Sequence, residues 1–164
     1  MSTQSTFTAE EWTALRLAPS LVAGGIAAAD PSGIFGSIKE ATAGMHGMLE
    51  AYQSGKGLEL FQALAADRSI PGMPDPKSLL GEGNREQQLA NMKSSVLERV
   101  KAAATLIGSK GSADEARAYK QMLVGVAQRA AEASTEGGFL GFGGVRVSAA
   151  EQSFINEVKA AVGA

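Results

Sequence analysis

His46 is the only histidine in this 164-residue chain, and it stands four residues before Glu50. On a helix that spacing sets an imidazole and a carboxylate on one face, which is two ligands for a metal ion. Two are too few. A di-iron bundle of the ferritin-like kind needs Glu-x-x-His from two helices and further glutamates, and a catalytic zinc needs three protein ligands. The pair therefore reads as an ordinary surface or half-buried pair. Ser32 and Ser148 would both depend on His46 as their base, and both sit at helix starts, where the hydroxyl is already employed as a cap. The adjacent carboxylates Glu10–Glu11 and Asp114–Glu115 fall in the first turns of helices, where negative charge suits the helix dipole. There is no cysteine, hence no thiolate nucleophile, sulfur metal site or disulfide. No acid, base and nucleophile converge, so the expectation is a non-enzymatic protein without a cofactor.

One stretch invites a different chemistry. Five of the twenty glycines fall between Gly137 and Gly144, with Phe139, Leu140 and Phe142 among them and Arg146 just after. Each glycine costs roughly 1 kcal/mol relative to alanine inside a helix, so this density predicts a loop, 135–148. Glycine backbones ahead of a helix can bind phosphate. Here no strand precedes them, the spacing is not Gly-x-Gly-x-x-Gly, and no Gly-Lys-Ser/Thr is present. Two readings stay open: the aromatic residues plug the end of a helical bundle, or they form an exposed patch that docks a partner. Phe139, Leu140, Phe142 and Arg146 are the partner-binding candidates.

The elements around this loop announce themselves as helices. Ser/Thr-x-x-Glu capping boxes stand at Thr8/Glu11, Ser112/Glu115 and Ser148/Glu151, and Phe7 with Trp12 occupies the two positions of a hydrophobic staple. Trp12, Leu15, Pro19, Val22 and Ile26 recur at helical spacing, with a kink or split expected at Ala18, before Pro19. A second helix is expected over 34–53, its apolar face marked by Ile38, Ala41, Met45, Met48, Leu49 and Tyr52. Glycines 36, 44 and 47 within it suggest close contact with a neighbouring backbone. A short helix over 58–66 precedes an irregular Pro/Gly segment, 67–84, the one plausible linker. Helices over 85–108, from 112 to 134 and from 148 to 162 complete the chain. Their inward residues read as Leu89, Met92, Val96, Val100, Ala103 and Ile107; then Ala116, Tyr119, Leu123, Val126 and Ala130; then Phe154, Ile155, Val158 and Val162. The methionines read as core filler. The fold class is all-α, a single domain over 1–164 with five or six helices.

Composition agrees. Hydrophobic residues make up 45%, which is ordinary for a globular chain, while aromatics at 5% are scarce and alanine is frequent. The net charge of −2 gives no field for nucleic acid or anionic membrane. Residues 1–82 hold 5 basic and 9 acidic side chains and 83–164 hold 10 and 8, which reads as two oppositely biased solvated faces. The longest uncharged run, 17–29, is shorter than the ~18 residues that span a bilayer. The first ten residues show neither a basic nor an apolar signal region. Cytoplasmic location without a membrane span is expected.

A weak internal plan recurs: an alanine-rich helix, an acidic-glycine turn and a new helix opened by serine, first around Asp30–Gly33 and again from Glu132 and Glu136 to Ser148–Glu151. It resembles the tellurite-resistance TerB-like domains, which pair such helices about a pseudo-two-fold. The acidic signature of that family is not intact here, because Pro31 follows Asp30 and the second loop is longer and apolar. The resemblance implies a metal- or stress-linked protein using Asp30, Glu132 and Glu136. The ending from Glu136 onward resembles that of small bacterial helical proteins, which implies a bacterial source. The leading expectation is a binding or scaffold protein acting through a protein partner or self-association. A carrier of a small apolar ligand between helices is the other alternative.

Overall fold

The computed structural model describes the backbone of residues 2–29, 34–55, 57–72, 74–134 and 147–164, and the side chains of these except within 34–42 and at 134. Among the described residues there is no strand, and seven α-helices follow a 3-10 turn at Gln4–Thr6. They are α1 (Ala9–Ala29), α2 (Ile34–Ser54), α3 (Glu59–Ala66), α4 (Pro76–Leu80), α5 (Arg85–Lys110), α6 (Ala113–Ser134) and α7 (Ala149–Val162). Helix α1 is the central element and touches α2, α5, α6 and α7, while α2 lies along α6. The architecture is an all-α bundle.

The helix starts follow the local chemistry. Glu11 accepts from the Thr8 amide at 2.8 Å while Thr8 Oγ1 accepts from the Glu11 amide at 3.2 Å. The Ser112/Glu115 and Ser148/Glu151 boxes close the same way. Phe7 stacks on Trp12 with ring centroids 5.9 Å apart, which fixes the entry of the chain into α1. A further box, Asn84 with Gln87, opens α5.

Three expectations change in the structure. Helix α4 lies inside the segment read as irregular: Asp75 Oδ1 accepts from the Lys77 amide at 3.0 Å, and Pro76 takes the first helical position, where a missing N–H is harmless. Leu79 is buried, and Asn91 Nδ2 on α5 donates to the Leu80 carbonyl at 3.0 Å, so the segment is docked rather than a free linker.

On α2, Met45 and Leu49 are exposed instead of inward, at 55% and 50%. The buried side of α2 combines Tyr52 with two of its smallest residues, Gly44 and Gly47. A Cβ on Gly44 would stand 2.7 Å from Ala23 Cβ of α1 and 3.4 Å from Val126 of α6, so glycine there lets three helices meet. The methionines divide accordingly: Met122 is buried, Met48 and Met92 are half-buried, and Met45 faces out.

Helix α1 continues through Pro19 without a split. Proline cannot donate to the carbonyl four residues back, that of Leu15. Tyr119 of α6 donates its hydroxyl to that carbonyl instead, at 2.7 Å and fully buried. Over its most apolar window α1 has a mean hydropathy of 1.2, long and apolar enough to cross a bilayer, yet 56% of that window is buried against the other helices. The core around α1 holds Leu15, Ile26, Phe61, Ile107, Tyr119, Leu123 and Phe154, each with almost no exposed surface.

Candidate functional site

The loop residues singled out by sequence, Phe139, Leu140, Phe142 and Arg146, lie outside the described residues, as do Asp30 and Glu136. Beyond the loop, Val147 packs against the core. Glu132 is an exposed residue of α6. His46 is exposed on α2, and Glu50 reaches Arg129 of α6 as an ion pair, with Arg129 Nη1 donating to Glu50 Oε1 at 3.2 Å. Glu50 is thus engaged by a cation of α6. Among the described residues no three His, Asp or Glu side chains gather into a metal cluster.

The carboxylates that stand out are joints. Glu115 is only 2% exposed and its carboxylate gathers four donors: the amides of Ser2 at 3.0 Å, Leu60 at 3.1 Å and Ser112 at 2.9 Å, and Ser2 Oγ at 2.8 Å. Leu60 is the second residue of α3, whose N-cap Leu58 has no capping side chain, so one carboxylate caps two helices. Burial pushes the Glu115 carboxyl up, but the donors from Ser112, Ser2 and Leu60 outweigh it and hold the group at about 2.

Asp67 does similar work at the far end of α3. It accepts from Ser69 Oγ at 2.6 Å and from the Trp12 indole N–H at 2.8 Å, and it pairs with Arg16 at 3.2 Å. These donors, Ser69 first, bring its carboxyl down to about 2. Glu11, inside its capping box, also takes Lys110, which lowers its carboxyl below the usual range. Each of these anions is spent on an amide, an indole or a cation of the fold, a structural use.

Among the clefts of the described residues, one with a volume of about 580 Å³ lies between α2, α3 and α6. Ala51, Leu58, Phe61 and Met122 give it apolar walls, and Ser54, Gln121 and the Glu50–Arg129 pair give it polar edges. Glycine shapes it twice. A Cβ on Gly47 would stand 2.8 Å from Arg129 Cδ, so the bare backbone lets the arginine stem cross α2 to reach Glu50. Gly125, in the middle of α6, has no neighbour among the described residues within 4 Å of the place its Cβ would take.

No family model, curated protein or solved structure matches the chain.

The arrangement can hold an apolar surface between two polar edges, and it offers no set of groups aimed at one reacting atom among the described residues. Sequence reasoning missed the groove. Its signal was the run Gly47, Ala51, Gly55 at four-residue spacing along α2 and just past its end, with Ala118, Met122 and Gly125 of α6 lining the same groove. Small residues at that spacing mark a close helix seam, and whether the seam closes or stays open depends on where the neighbouring helix ends.

Proposed function

We propose that this chain is a non-enzymatic binding protein that works through protein contact, with the groove between α2, α3 and α6 as its contact surface. The observation that supports this reading is the make-up of that groove: half-buried Ala51 and Leu58, with the buried side chains of Phe61 and Met122 behind them, lie between the polar edges of Ser54, Gln121, Glu50 and Arg129. An apolar centre with a polar rim is the usual anatomy of a protein interface. The perturbed carboxylates support it too, since each is engaged in capping or pairing within the fold.

A photo-crosslinking residue placed at Gln121, in the groove, tests the reading against one placed at Glu98, on the outer side of α5. A discrete crosslinked species from position 121 alone is the expected result. A species of twice the chain mass would make the partner a second copy. Equal labelling from both positions, or none from either, would reject the groove as a contact surface.

One observation favours a second reading. A volume of about 580 Å³ falls within the range of small-molecule sites, roughly 300–1,000 Å³, so a small apolar ligand would also fit. Native and denatured masses of the purified protein separate the two: a mass excess that disappears on denaturation belongs to a carrier.

A further inference from the structure

The Pro19–Leu15–Tyr119 arrangement carries more than an explanation of how α1 stays continuous. Inside a helix a proline both leaves the carbonyl four residues back without its amide donor and presses its ring against that carbonyl. Such a point is where a helix bends unless something else holds it. Beyond Pro19, Gly24 and Gly25 follow within two turns, and each weakens the helix locally by about 1 kcal/mol relative to alanine. On the α2 side of Pro19 lies a small apolar cleft of about 90 Å³, lined by Pro19, Ser20, Ala23, Gly44, Met45 and Met48, which leaves room for movement. On the α6 side the Tyr119 hydroxyl takes the freed carbonyl at 2.7 Å.

We infer that α1 is a hinged helix, with Pro19 as the hinge and the Tyr119 hydroxyl as the lock that holds residues 20–29 in line with 9–18. The lock stands beside the groove, because Ala118 and Met122, neighbours of Tyr119 on α6, line it. Burial pushes the Tyr119 phenol well above its usual value, so the hydroxyl keeps its proton and stays a donor across the ordinary pH range.

The pair can be tested as a cycle of four proteins: wild type, Tyr119→Phe, Pro19→Ala and the double variant. Amide hydrogen exchange is followed by mass spectrometry over 20–29, with α5 as reference. Tyr119→Phe strands a buried acceptor, so exchange over 20–29 is expected to quicken roughly ten- to a hundredfold relative to α5. With alanine at position 19 an amide again reaches Leu15, and the same Tyr119→Phe change is expected to move exchange by less than about threefold. A speed-up spread evenly over all helices, or the same local effect in both backgrounds, would overturn the hinge-and-lock reading. Should Tyr119→Phe not fold, Pro19→Ala alone decides: slower exchange over 20–29 is expected, and unchanged exchange overturns it.

Discussion

The ring of Phe154 on α7 occupies the space that a Cβ on Gly25 of α1 would need. The Cβ would stand 2.5 Å from Phe154 Cε1 and 3.3 Å from Val96 Cγ1 of α5. The preceding residue, Gly24, meets only Met92 Cε at 3.6 Å, an ordinary contact. One glycine is therefore required by packing between α1, α5 and α7, and its neighbour is not.

The two glycines should respond in opposite directions to the same substitution. Alanine is favoured over glycine within a helix by about 1 kcal/mol, and Gly24→Ala is expected to gain up to that amount. Gly25→Ala forces Phe154 to move in a closely packed core, and overpacking of this kind costs roughly 1–3 kcal/mol. Urea unfolding of both variants checks the pair. Shifts of the midpoint in the same direction would contradict the placement of α7 on α1.

Much of this architecture is legible in the sequence, and the reason is locality. The boxes at Thr8/Glu11, Ser112/Glu115 and Ser148/Glu151 are complete within four residues, so the pattern alone locates the helix starts. Asp75–Pro76 was equally local evidence for α4, hidden by the surrounding prolines and glycines. The buried side of α2 was legible in part: Tyr52 is buried, Met48 packs against the core, and Gly44 and Gly47 sit at close approaches, as their positions suggest, while Met45 and Leu49 face out although the hydrophobic periodicity marks them inward. The joints were not legible. Glu115 reaches Ser2 and Leu60, which lie 113 and 55 residues away, and Tyr119 reaches Leu15 across 104. Spacing of that kind exists only after folding.

Glu115 makes a prediction about acid. Its carboxyl is held at about 2 in the folded chain, below its ordinary value of 4.5. A group depressed by folding stabilises the native state above its unfolded value, and that contribution fades as pH falls through 4.5 toward 2. Glu115→Gln keeps one oxygen acceptor but turns the other into a donor facing donors. It should lower stability at pH 7 by roughly 2–4 kcal/mol, through buried hydrogen bonds left unmade. The variant should also show a smaller loss between pH 5 and pH 2 than the wild type. Unfolding measured across that range checks both parts; equal acid slopes in the two proteins would show that Glu115 is not the group responsible.

Gly125 separates what the fold needs from what the groove does. Nothing in the described chain approaches the place its Cβ would take, and it sits within a long helix, so glycine here weakens α6 without any visible packing gain. Gly125→Ala is expected to raise stability by about 1 kcal/mol. Gly125→Leu should remain folded with similar stability, since its side chain enters open space. If the groove receives a partner, that leucine obstructs it, and crosslinking from Gln121 should fall sharply in a protein that unfolds no more easily than the wild type. Sites kept for binding often carry residues that stability alone would replace, and the two readouts moving apart is the signature of such a site. Undiminished crosslinking from Gln121 beside a leucine at 125 would place the contact elsewhere on the molecule.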